Sequence, residues 1–104
     1  MPKVAVLAKM TAKEGQGPAL AELMKEKLVP AVEQEEGTEI YSMHQEAGNA
    51  DVIWFFELYR DNDALTVHSG SAAMKAVGPE LGPMLAGRPE IFLLKPVVAK
   101  GLEL

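Results

Sequence analysis

Asp51-Val52-Ile53-Trp54-Phe55-Phe56-Glu57-Leu58-Tyr59-Arg60, continued by Asp61-Asn62-Asp63-Ala64-Leu65-Thr66-Val67-His68, is the stretch whose reading decides the fold. It carries the only Trp, two of the three Phe, one of the two Tyr and one of the two His. Val52 to Tyr59 is β-branched and aromatic, which suits a strand. Side chains alternate across a strand, so Val52, Trp54, Phe56 and Leu58 point one way and Ile53, Phe55 and Tyr59 the other, with Glu57 the only charge among them. A strand apolar on both faces is covered on both faces. Asp61 is then a suitable N-cap, and Leu65, His68 and Ala72 at i, i+3 and i+7 predict a helix whose buried face includes His68.

Upstream, Thr38 to Glu46 reads as the preceding strand, with Ala47 to Asp51 as a hairpin connection, so these two strands are expected to be antiparallel. Before it, Leu20, Leu23, Met24, Leu28, Ala31 and Val32 form one apolar stripe of a helix that opens near Pro18. Pro30 is expected to kink its last turns by removing the bond to the Glu26 carbonyl, and Gly37 to close it as the C′ residue. Lys3 to Met10 reads as the first strand. Downstream, Gly70-Ser71 interrupts the second helical region and Ser71 caps its continuation, made irregular by Gly78-Pro79 and Gly82-Pro83. Glu90 to Lys95 is the last strand, followed by Pro96.

The order is β-α-β-β-α-β, an α+β chain of ferredoxin-like pattern with a four-stranded antiparallel sheet. Right-handed crossovers put both helices on one face. The other face, apolar through Trp54 and Phe56 and again through Phe92 and Leu94, is expected to meet a second copy of the chain. The reading is one domain over residues 1–104, with 97–104 as a C-terminal arm that reaches the partner protomer.

Composition bounds the rest. At 104 residues the chain buries roughly two-thirds of its unfolded surface. With 48% hydrophobic and 24% charged residues it reads as a globular chain, and no apolar run approaches the ~20 residues of a membrane span. The N-terminus has no signal-peptide pattern, so the cytoplasm is the default compartment. Absence of Cys removes disulfides, thiolate nucleophiles and Cys-ligated metals. A net charge of −5 with dispersed Lys and Arg argues against nucleic acid.

His68 is the first candidate for chemistry: a half-buried imidazole on a sheet-facing helix can serve as base, donor or ligand near neutral pH. Its structural alternative is a hydrogen bond to a carbonyl or water. Glu57, a carboxylate in an apolar strand, must be paired, protonated or facing a cavity. Tyr59 shares its face and offers a phenol and a flat surface. Trp54 lies on the opposite face and joins that pair only if a bulge shifts the register. His44, among Ser42 and Glu46, reads as solvated. Two distant His without a spaced carboxylate make a poor metal signal, so no metal is expected from them. Met24, Met74 and Met84 suit either core filling or a pocket for a flat ligand.

Phe55-Phe56-Glu57-Leu58-Tyr59-Arg60-Asp61, with Ala64-Leu65, His68, Ser71 and Leu85-Ala86-Gly87-Arg88-Pro89-Glu90, resembles the antibiotic biosynthesis monooxygenase family, which includes quinol monooxygenases. The resemblance implies a dimeric α/β barrel of ferredoxin-like protomers. It further implies a pocket between sheet and helices in which a quinol or other hydroxylated aromatic is oxidised by O₂ without flavin, haem or metal. By position it makes His68 the base or donor, Glu57 the carboxylate that orients or tunes it, and Tyr59 a contact for the ring. The chain departs from the family in having Ala73-Met74 after Ser71, where many relatives read His-Phe, and in lacking a first-strand Asn. A non-enzymatic barrel that binds a hydrophobic small molecule or serves a stress response is therefore the competing reading, with a haem-degrading variant third.

Overall fold

β3 (Asn49–Tyr59) is an inner strand, flanked by β2 (Thr38–Glu46) on one side and β1 (Val4–Thr11) on the other, with β4 (Glu90–Leu94) outermost in the sheet order β2-β3-β1-β4. All three pairings are antiparallel. The computed structural model describes residues 2–104. The fold is the expected four-stranded, ferredoxin-like α+β arrangement. β2 and β3 join through Ala47-Gly48, a tighter connection than the residue pattern suggests. Gly48 takes φ +83° there, a left-handed conformation that glycine adopts without a Cβ penalty.

The helices explain themselves locally. α1 (Gly17–Lys27) carries Pro18 in its first turn, and a separate four-residue turn, α2 (Val29–Val32), follows after a break at Leu28. Pro30 is the physical reason for the break, since it has no N–H to continue the ladder. α3 (Asn62–Ser69) is capped by Asp61, whose Oδ1 accepts the Ala64 N–H at 2.9 Å. α4 (Ala72–Leu81) is capped by Ser71, whose Oγ accepts the Met74 N–H at 3.2 Å, and it runs through Pro79 into a 3₁₀ turn at Gly82–Met84.

Gly37 is not the C′ residue of the first helix: the helical residues end at Val32, and Gly37 has no positive φ. Glycine is required there by close approach. A Cβ at Gly37 would stand 2.4 Å from the Ala64 Cβ, where the loop before β2 passes under α3.

The core lies between the helices and one face of the sheet, with Ala8, Met10, Ile53 and Phe55 packed against Leu20, Met24, Leu28 and Val77. From Ile53 onward β3 alternates without interruption: Ile53, Phe55, Glu57 and Tyr59 face this core, and Trp54 and Phe56 turn to the other side. A bulge does occur, at Glu39 in β2, where the register passes from Thr38↔Tyr59 to Ile40↔Leu58. It re-phases β2 so that Tyr41 stands opposite Glu57. Trp54 is unaffected: its Nε1 donates to Glu46 Oε1 at 3.0 Å, and Lys9 Nζ lies 5.3 Å from its ring centroid.

The far face of the sheet carries no helix. Phe92 and Leu94 remain 45% and 42% exposed there. At one end the tail folds back, so that Val98, Leu102 and Leu104 share a cavity of about 220 Å³ with Ala5, Phe56 and Leu58 of their own chain.

Candidate functional site

A cavity of about 390 Å³ opens between the sheet and the helices. Its walls are apolar, with Met24 and Leu28 from α1 and the following break, Phe55 from β3, and Met74, Val77 and Leu81 from α4. Ile91 and Leu93 of β4 also line it while remaining 56% and 66% exposed, so they form its open rim. The polar side chains on the lining are Tyr41, Glu57, His68 and Ser69. Met84 packs against the core instead.

His68 is presented by α3, whose Asp61 cap fixes the start of the helix and so the face that residue 68 occupies. It is buried. Its Nδ1 lies 2.9 Å from Glu35 Oε1, and its Nε2 lies 3.9 Å from Glu57 Oε1. Glu35 sits in the loop after α2, where its own N–H is bound to the Val32 carbonyl at 2.9 Å and its Oε1 accepts the Thr38 hydroxyl at 2.8 Å. Among the described residues no sealed side-chain nitrogen or oxygen lacks a hydrogen-bond partner. Nε2, with its nearest carboxylate oxygen beyond hydrogen-bond range, therefore borders the cavity rather than closed protein.

Glu57 is buried, and its Oε1 accepts the hydroxyl of Tyr59. Burial raises the Glu57 carboxyl above its ordinary value; the Tyr59 hydrogen bond and His68 oppose that rise, and Glu35 adds to it. Tyr41, cross-strand from Glu57, has its ring 5.2 Å from both Phe55 and His68. Burial first, then the nearby carboxylates Glu57 and Glu35, push its phenol upward, so it stays a neutral donor. The Tyr59 phenol is pushed up by burial and by its bond to Glu57.

The three residues singled out from the sequence come together, but in unequal positions. His68 and Glu57 line the cavity, whereas Tyr59 lies behind Glu57, fully buried, with its ring 5.4 Å from His68. A ring contact by Tyr59 is thus replaced by a contact to Glu57. The reason is position along the sheet: Tyr59, the last residue of β3, packs with Val6 and Ala64 beneath α3, while Tyr41, paired with Glu57, stands on the cavity wall. His44 is exposed on the far face, its Nε2 2.9 Å from Ser42 Oγ, so the two histidines share no site. Among the described residues no cluster of three or more His, Asp or Glu is arranged to hold a metal.

Sequence reasoning missed Glu35 and Tyr41. Tyr41 alternates in phase with Met43, a signal that could have placed it on the core face of its strand. Glu35 carries no such signal in the acidic run Glu33-Gln34-Glu35-Glu36.

The model of the antibiotic biosynthesis monooxygenase family matches residues 3–79. Among solved structures, one from Caulobacter crescentus CB15, assigned provisionally as an antibiotic biosynthesis monooxygenase, superposes with a TM-score of 0.85 at 26% identity, over 93% of this chain and 92% of that one. A conserved protein of Methanosarcina mazei Go1 gives 0.83 at 27% identity, over 91% and 93%. A Mycobacterium tuberculosis protein gives 0.83 at 26% identity, over 93% and 97%. No curated protein matches the chain. With nearly three-quarters of its length matched by the family model and its fold shared with these structures, the chain belongs to the antibiotic biosynthesis monooxygenase family.

Proposed function

We propose that the protein is a monooxygenase acting on a quinol or other hydroxylated aromatic, with the substrate itself as the reductant. The observation that carries this reading is the buried His68 held between Glu35 and Glu57 at the wall of an apolar cavity of about 390 Å³. A quinol and O₂ yield a hydroxyquinone and water. One oxygen enters a ring C–H, the other leaves as water with the two hydroxyl hydrogens, and the four electrons come from the substrate. No further reductant is needed for that balance.

Glu35 fixes the imidazole with Nδ1–H donating to the carboxylate, which leaves the Nε2 lone pair toward the cavity as acceptor for a substrate hydroxyl proton. Its charge also steadies the imidazolium that forms. The resulting aromatic anion is electron-rich enough to give an electron to O₂, provided that the site holds the ring and stabilises the negative oxygen. Glu57, inclined by burial to its protonated form, tunes that region, and Tyr59 positions Glu57. Tyr41 takes the role of ring contact. His68 and Glu57 touch the substrate in this reading, and Glu35 and Tyr59 act through them.

The test is oxygen uptake with a menadiol-type quinol, expected above autoxidation and lost in His68→Ala with far-UV circular dichroism unchanged. No rate across a panel of quinols and anthrones would sink it. The binding-only reading is favoured by Ala73-Met74 and by the first strand, which has no Asn; it predicts ligand uptake by the cavity with no oxygen consumed, and a Soret shift on titration would point to haem. We further propose that two copies pair through the helix-free sheet face, a reading supported by the exposure of Phe92 and Leu94.

A further inference from the structure

We propose that the cavity admits uncharged aromatic molecules bearing a hydrogen-bond donor and turns away aromatic anions. This narrows the substrate class of the site just described and rests on that reading for the choice of a hydroxylated ring.

Among the described residues, none that lines the cavity is Lys or Arg. Arg60, the basic residue closest in sequence to the cluster, is exposed, lies outside the lining, and has its Nε 3.7 Å from Asp61 Oδ2. The charged groups at the polar end of the cavity are Glu57 and His68 on the lining and Glu35, which stands behind His68 against Nδ1. Two carboxyl groups thus stand against one imidazole, and with one proton shared between His68 and Glu57 the sum is minus one whichever of the two holds it. Tyr41 and Tyr59 add no charge, since burial and the neighbouring carboxylates keep both phenols protonated.

An entering carboxylate, sulfonate or phosphate would leave water for apolar walls, find no cation, and meet a net negative charge at the polar end. A neutral phenol loses far less hydration and finds acceptors at His68 Nε2 and the Glu57 carboxyl. Substrates carrying an acidic group on the ring itself are therefore poor ligands, and the reaction that supplies the substrate must deliver it without one.

The experiment is isothermal titration at about pH 7, where a naphthoate is ionised, with 2-naphthol and with the isosteric pair 2-naphthamide and 2-naphthoate. The naphthol and the amide are expected to bind, with the naphthoate weaker than the amide by roughly tenfold or more, as a single unscreened like charge implies. In Glu35→Gln/Glu57→Gln that gap should shrink to about threefold or less, because both carboxylates that carry the charge are gone. Naphthoate binding as tight as the amide overturns the proposal, as does failure of all three to bind. Should the double variant not fold, the wild-type pair decides by itself. Absence of oxygen uptake with the charge preference intact would remove the oxygenase reading and leave this one standing.

Discussion

His68 Nδ1 and Glu35 Oε1 lie 2.9 Å apart although 33 residues separate them in the chain. The pairing joins the loop after α2 to the sheet-facing side of α3, and it sets which imidazole nitrogen faces the cavity. Glu35→Gln keeps an acceptor oxygen but loses the charge, whereas Glu35→Leu removes both. The proposed role predicts a graded loss in kcat/KM, modest for Gln and approaching the loss in His68→Ala for Leu, on the order of a hundredfold or more. Nitrogen-15 spectra of His68 should show the Nδ1–H tautomer in wild type and Gln but not in Leu. An unchanged tautomer in Leu would show that Glu35 does not hold the ring.

Glu57 and Asp51 should shape the pH dependence of stability in opposite senses. Burial raises the Glu57 carboxyl above 4.5, so the native state favours its protonated form. The stability it contributes is complete below the ordinary carboxylate value and is lost as pH rises through its elevated native value. Asp51 is lowered from 3.8 by the Gly15 and Gly17 N–H groups that its carboxylate accepts, so its contribution is present above that value and lost as pH falls through the depressed one. Thermal melts across pH should show both limbs. Glu57→Gln should flatten only the upper one and Asp51→Asn only the lower.

Tyr59→Phe isolates the support behind Glu57. The hydroxyl it removes donates to Glu57 Oε1 and opposes the upward shift of that carboxyl. The variant should therefore carry the upper limb of the stability profile to higher pH, at a cost of about 1–2 kcal/mol in urea denaturation. A limb that stays in place would mean that the phenol has no hold on Glu57.

The fold was legible because each of its signals is local. Asp61 and Ser71 announce helix starts through side-chain oxygens, Pro30 breaks a ladder within its own turn, and the two-sided apolar pattern of β3 needs only alternation. The site was half legible for the same reason. Glu57 and His68 stand out as polar residues in apolar settings, each judged against its immediate neighbours. Glu35 reaches His68 only through tertiary packing, and its surroundings in sequence are uniformly acidic. Tyr59 shares the Glu57 face, as alternation says, but lies at the strand end beneath α3, and alternation does not tell how far along a face the cavity reaches. Tyr41 is marked as core-facing by its phase with Met43, while its pairing with Glu57 depends on the bulge at Glu39, which leaves no mark in the pattern of a strand as mixed as Thr38-Glu39-Ile40-Tyr41.

Gly17 offers a stability test away from the site. A Cβ there would stand 1.9 Å from the Ala50 carbonyl oxygen, while its own N–H donates to Asp51 Oδ1 at 2.8 Å. Backbone cannot yield as a side-chain tip does, so α1 would have to move off the β2–β3 hairpin. Gly17→Ala should lose about 3 kcal/mol in urea denaturation. Gly82→Ala, where an added Cβ meets nothing within 4 Å, should change stability by less than about 1 kcal/mol.

The proposed sheet-to-sheet dimer is tested on β4. Phe92 and Leu94 project from the helix-free face, whereas Ile91 and Leu93 of the same strand line the cavity rim. Phe92→Glu places a charge on the first face and leaves the second untouched. In analytical ultracentrifugation at micromolar concentration the wild type should sediment as a dimer and Phe92→Glu as a monomer, because an unpaired carboxylate buried in an apolar interface costs several kcal/mol, on the order of a thousandfold in dimer dissociation. The tail adds a second arm to the test. It lies against Ala5, Phe56 and Leu58 of its own chain, and in the dimer the same apolar residues would be available to the partner. Removing residues 97–104 should then weaken dimerisation without unfolding the protomer. A wild type that sediments as a folded monomer would remove the dimer proposal, and a truncated chain that dimerises as tightly as the full one would remove the tail from it.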